Sequence, residues 1–175
     1  MTTENQQIKY YTIIGEFVSK VNTFEFIVNV MLEQIVGTYS ENSTNKDLLN
    51  DTIDFIQEQS LRIRINQIIL LITMITMNNQ ANAELEDAVE SLKGFSKYYN
   101  KSIRNVRDFI AHNPFLEGET LKIVSSRRYQ GKLNSMTLTD IEEHTKALIP
   151  KIKELFSTAE IIAKYYPVEV TRELN

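Results

Sequence analysis

The amino-acid sequence predicts a mainly all-α protein, an antiparallel helical bundle with a small β-hairpin ahead of its last helix. Three observations carry that expectation. Only five glycines and three prolines interrupt 175 residues, so most of the chain meets no residue that ends a helix. Apolar side chains recur at three- and four-residue steps over long stretches, the spacing that lines one side of a helix. That texture changes only once, between about residues 119 and 137, where Val, Ile, Thr and Tyr gather on both sides of Gln130-Gly131. At roughly 150 residues per domain, residues 1–175 are expected to form a single helical domain.

The first helix is expected from about Ile8 to Val36, with Ile14, Phe17, Val18, Val21, Phe24, Val28, Met31, Leu32 and Ile35 on one face. Phe26 and Val30 fall off that face, which gives the helix apolar surface for a second partner. Gly37 and the polar run SENSTNKD make a loop, in which Thr44 to Asp47 suit the start of a second helix over Lys46–Gln59. A third helix spans Ser60–Met77, and its segment IILLITMITM (Ile68–Met77) reads as a core helix buried on nearly all sides. A fourth pattern begins near Glu84 and carries Leu85, Val89, Leu92, Phe95, Tyr99, Ile103, Val106 and Ile110. It stops at His112-Asn113-Pro114, because proline disfavours helical backbone in the residue before it.

The hairpin takes TLKIVSSRRY and KLNSMTL as its two arms. Thr139 and Glu142 then match a capping box before a final helix. Its face is made by Ile141, Leu148, Ile149, Ile152, Leu155, Phe156, Ala159, Ile162, Ala163 and Tyr166. Pro150 lies inside that face and is expected to kink or split the helix.

Composition removes several classes of function. Zero cysteines exclude a disulfide framework, a thiol nucleophile and zinc sites built on cysteine. Two histidines are too few for the usual catalytic zinc site, so no metal and no cofactor are expected. The opening residues MTTENQQIKYYT lack the basic-then-apolar order of a secretory leader. The longest apolar run would rise only ~15 Å as a helix, against a hydrocarbon core of ~30 Å. No membrane association is expected, and the reducing cytoplasm is the expected compartment. No phosphate-binding glycine loop or dinucleotide fingerprint is present.

The net charge of -4 conceals an asymmetry. Between Lys93 and Lys132 there are nine basic and three acidic residues, a balance of +6, against -10 for the rest of the chain. A local basic surface is what phosphate contacts require. Lys93, Lys97, Lys101 and Arg104 are four, four and three residues apart, which on an uninterrupted helix is one side. Lys97, Lys101 and Arg104, with Arg127 and Arg128 on the hairpin, are therefore the expected phosphate-contacting residues, RNA-binding in the family reading given below. Solvated lysines are the plainer reading of such spacing. Tyr129 is a candidate for base stacking. The Tyr98-Tyr99 and Tyr165-Tyr166 pairs read as core and interface aromatics, and His144 as a surface or partly buried residue.

Arg104, Asp108 and His112 continue at four-residue steps. A carboxylate one turn before a histidine can accept its ring N–H and fix the tautomer, while Arg104 holds the carboxylate. The plainer alternative is a helix-terminal histidine whose charged form the helix dipole favours. Arg107-Asp108, three residues and His112 make an R-polar-x-x-x-H pattern at a helix end. That pattern resembles the HEPN superfamily of nucleotide-binding and ribonuclease domains, and the order of helices is similar to that fold along the whole chain.

The resemblance implies a metal-independent endoribonuclease that leaves a 2′,3′-cyclic phosphate, with Arg107, Asp108 and His112 in its catalytic site. It also implies a role in toxin or phage-defence systems and a possible antitoxin or regulatory partner. Histidine titrates near neutral pH and can take or give the proton. The planar fork of arginine suits the charge that builds on phosphate oxygens. Five steps along an ideal helix leave Arg107 and His112 about 140° apart. Either the last turn unwinds or a second subunit supplies half of the site, and HEPN ribonucleases characteristically dimerise. A homodimer is therefore expected. Two departures stand out: Asp108 replaces the commoner Asn, and Pro114 occupies the place of a tyrosine found in toxins with nucleotidyltransferase antitoxins. The alternative is a non-catalytic HEPN-like module that binds a nucleotide, RNA or a protein through the same surface.

Overall fold

The computed structural model describes residues 3–40, 46–78, 82–112, 116–117, 119–122 and 135–167. Among these, six α-helices and three short strands follow in order: α1 (Thr3–Ser40), α2 (Lys46–Gln57), α3 (Leu61–Asn78), α4 (Ala83–Tyr98), α5 (Arg104–His112), β1 (Leu116–Glu117), β2 (Thr120–Lys122), β3 (Ser135–Thr137) and α6 (Leu138–Tyr165). A π-helical turn, Tyr99–Ile103, joins α4 to α5. The fold is all-α apart from the small sheet. The chain divides into two compact units, one of residues 1–23 and 98–152, the other of residues 24–97 and 153–175.

The first unit buries Ile13, Phe17, Val21, Tyr99, Ile103, Val106, Phe109, Met136, Leu138, Ile141, Leu148 and Ile152. Its strands form one antiparallel sheet in the order β1-β2-β3, with Leu121 opposite Met136 and Thr120 opposite Thr137. These are the two ends of the expected hairpin. Its turn at Gln130-Gly131, with Arg127, Arg128 and Tyr129, lies outside the described residues. Strand β1 is an addition, too short for alternation to reveal it. An exposed ion pair, Lys9 to Glu119 at 2.8 Å, lies in the same unit.

The second unit buries Phe24, Val28, Met31, Leu32, Ile35, Ile65, Ile68, Ile72, Leu92, Phe95 and Leu155, among others. Phe24 and Phe95 meet edge to face, with ring centroids 5.8 Å apart, and truncating either would cost about 3–5 kcal/mol. Arg64 is buried to 7% exposure. Its guanidinium donates to Asn29 Oδ1 and lies 3.5 Å from Glu25. Lys164 and the Tyr165 hydroxyl both reach Glu84 Oε2, holding its carboxyl below the ordinary glutamate range.

Several expectations are corrected. The apolar run of α3 is not covered all round: Leu70 is 58% exposed and Met74 and Ile63 are also open. Eight apolar residues among ten successive positions put some on every side of a helix, and neighbours cover only part of that circumference. Val18, Ile149 and Phe156, placed on buried faces by spacing, are exposed. Helix α6 passes through Pro150 without being split. The carbonyl four residues earlier belongs to exposed Lys146, where water can replace the missing N–H. The cap of α6 falls two residues earlier than expected. The backbone N–H and hydroxyl of Thr137 donate to Asp140 Oδ2, and the Asp140 N–H donates to Thr137 Oγ1. Those bonds from Thr137, aided by nearby His144, hold the Asp140 carboxyl below its usual range. Helix α2 begins at Lys46, as expected, and Thr44 and Asn45 ahead of it lie outside the described residues.

Candidate functional site

The fourth apolar pattern, expected as one helix, is interrupted by the π turn. The Arg104 N–H donates to the Tyr99 carbonyl, an i→i+5 bond, while both flanking residues keep helical backbone angles. The turn takes up one extra residue, so positions beyond it are rotated by about one residue's 100° from where uninterrupted spacing puts them. Within the first unit, spacings that cross the turn therefore run one residue longer than on a regular helix.

Helix α5 is strongly two-sided. Val106 and Phe109 are buried, whereas Arg104 and Arg107 are exposed and Asp108 is half-buried. Arg104 Nε lies 3.6 Å from Asp108 Oδ2, the arrangement expected from their four-residue spacing. Arg107 Nη1 donates to the Tyr99 hydroxyl at 3.0 Å, a contact that spacing alone did not indicate. His112 is the last residue of α5, and its side chain lies outside the described residues. Helical backbone continues to that position, so the last turn does not unwind before it. Lys101 is exposed in this unit, and its carbonyl accepts from Asn105 Nδ2. Beside Tyr99, burial pushes the Tyr98 phenol up and Lys151 opposes the shift, which keeps that hydroxyl protonated near neutral pH.

In the second unit, Lys97 is exposed and Lys93 is ion-paired with Glu90. The same unit carries a groove of about 180 Å³ lined chiefly by Phe26, Val30, Phe156, Ala159 and Ala163. Phe26 is 64% exposed and Phe156 48%. The apolar surface read from Phe26 and Val30 is present, and α6 adds Phe156 to it. Buried Gln34 Oε1 at this groove has no hydrogen-bond donor among the described residues.

Among the described residues, no three histidines or carboxylates gather as a metal ion would require, and no helix is long and apolar enough to cross a membrane. No known family profile, curated protein or solved structure matches the chain.

Proposed function

We propose that this chain is a metal-independent endoribonuclease of HEPN type that works as a homodimer. The observation that supports it most is Arg107, an exposed guanidinium anchored on a buried tyrosine, five residues before a histidine at the end of α5. In this reading His112 takes the proton of an RNA 2′-hydroxyl or delivers one to the leaving oxygen. The 2′-oxygen bonds to the adjacent phosphorus, the bond from phosphorus to the 5′-oxygen breaks, and a 2′,3′-cyclic phosphate and a 5′-hydroxyl remain. Arg107 stabilises the charge on the non-bridging oxygens, while Arg104 restrains Asp108.

Two features support a homodimer. Regular helix up to His112 leaves Arg107 and His112 about 140° apart, and a second copy can supply the missing group. The groove around Phe26 and Phe156 also suits a second copy. Lys153 and Glu160 are exposed and seven residues apart on the face of α6 that carries Phe156. Antiparallel apposition of two α6 helices would put each Lys153 opposite Glu160 of the partner subunit. RNA, and in a defence setting an antitoxin or regulatory protein, complete the proposed partners. The rival is a non-catalytic HEPN-like module that binds a nucleotide, RNA or a protein through the same surface.

The decisive test compares wild type, His112→Ala and Arg107→Ala on a mixed RNA pool in EDTA. Wild type should cleave and leave cyclic phosphate ends, and each variant should lose ~10²–10⁴-fold in rate. Equal cleavage by all three would mean a contaminating nuclease. RNA binding without cleavage would select the binding module.

A further inference from the structure

We infer that Tyr99 is a positioning residue for Arg107, and that the π turn exists to bring the two together. This inference rests on the proposed anion-handling role of Arg107. Tyr99 and Arg107 are eight residues apart. On an uninterrupted α-helix eight steps of ~100° leave two positions about 80° apart around the axis. The π turn absorbs one residue, so the effective separation becomes seven steps, about 20° from perfect alignment. Two turns lie between them, roughly 10 Å along the axis. Long side chains on a helix lean toward its N-terminus, which sends Arg107 back over those turns to the phenol. The resulting bond, Arg107 Nη1 to Tyr99 Oη, is 3.0 Å.

The anchor is rigid and uncharged. Tyr99 is only 4% exposed, so packing fixes its ring and the hydroxyl has little freedom. The phenol oxygen that accepts from Arg107 is neutral, whereas the side chain beside Arg104 on the same helix is the Asp108 carboxylate. An arginine held this way meets a phosphodiester oxygen already ordered, which lowers the entropy lost on binding. A π turn is a defect in regular hydrogen bonding, and such defects gather at functional sites. Here it has a concrete geometric product.

The test is Tyr99→Phe, which keeps the ring and removes the oxygen, with Tyr98→Phe as the neighbouring control. Side-chain ¹⁵N NMR of the full chain reads the Arg107 guanidinium directly. Slowed rotation about its C–N bonds in wild type should be lost in Tyr99→Phe and kept in Tyr98→Phe. RNA cleavage by Tyr99→Phe should fall at least ~10-fold in kcat with a smaller change in KM, as expected for a misplaced group. An unchanged Arg107 signal in Tyr99→Phe overturns the inference whatever the activity. So does a lost signal in an enzyme that cleaves RNA as well as wild type. If the signal responds but wild type has no ribonuclease activity, the anchoring of Arg107 stands and the ribonuclease reading falls.

Discussion

Two arginines, one in each unit, show how differently the same side chain is used. Arg64 is almost completely buried, bonded to Asn29 and paired with the Glu25 carboxylate. Arg107 is exposed and hydrogen-bonded to a neutral hydroxyl. In the first case the protein cancels a charge that it has taken out of water, which burial demands. In the second it fixes the direction of a charge that water can still reach. The contrast separates a charge neutralised in the interior from one oriented at the surface.

Stability measurements should break or sharpen that comparison most strongly. Arg64→Ala removes the guanidinium that Glu25 and Asn29 share, and should lower unfolding free energy by about 3 kcal/mol, the lower end for broken buried pairs because Glu25 keeps some solvent contact. Arg107→Ala should cost less than about 1 kcal/mol, because an exposed helix position leaves no cavity. Urea denaturation of the two variants reads both values, and equal losses would erase the distinction drawn here.

A smaller effect is expected at the exposed groove of the second unit. Phe26→Glu places a charge where the proposed second copy would pack, and should shift light-scattering mass from dimer to monomer at micromolar concentration. Monomer stability should change by no more than about 0.5 kcal/mol. A wild-type chain that is strictly monomeric at that concentration would leave the groove without its proposed occupant.

A further effect belongs to the cap of α6 in the first unit. Thr137→Ala removes the hydroxyl that accepts from the Asp140 N–H and donates to its carboxylate, and should cost about 1 kcal/mol. Because the Asp140 carboxyl is held below its unfolded value, its contribution is complete above the ordinary aspartate range. It disappears as pH falls through the lowered folded value. The stability difference between wild type and variant should be flat near neutral pH and narrow on acidification. A gap that widens in acid would contradict the assigned cap.

Much of the scaffold was legible in the sequence. Periodicity located the helices to within a few residues, because a single buried face imposes a 3.6-residue repeat on side chains. The spare apolar position at Phe26 was legible for the same reason, and the ends of the hairpin from the β-branched residues on both sides of Gln130-Gly131. The π turn was not, since nothing in Tyr99–Ile103 distinguishes that stretch from ordinary helix. The consequence reached the candidate site: Tyr99 read only as a core aromatic, and an eight-residue spacing to Arg107 carries no meaning without the inserted residue. Arg64 was equally silent, because burial of a lone charge depends on carboxylate and amide partners more than thirty residues away. The displaced cap has a simpler cause. Thr137 and Thr139 both precede an acidic residue by three positions, and only the place where the strand ends chooses between them.

That choice has a consequence for how the hairpin can vary. Thr137 is at once the last residue of β3, opposite Thr120, and the capping residue of α6. The next amide, Leu138, donates to the Glu119 carbonyl, so the sheet satisfies one of the N–H groups that a helix start leaves open. Strand register is thus pinned at the open end of the hairpin, where ordinarily the turn would set it. Sequence between Lys122 and Ser135 is released from that duty. Length or charge changes in that segment should leave Met136 in the core and α6 starting at the same residue.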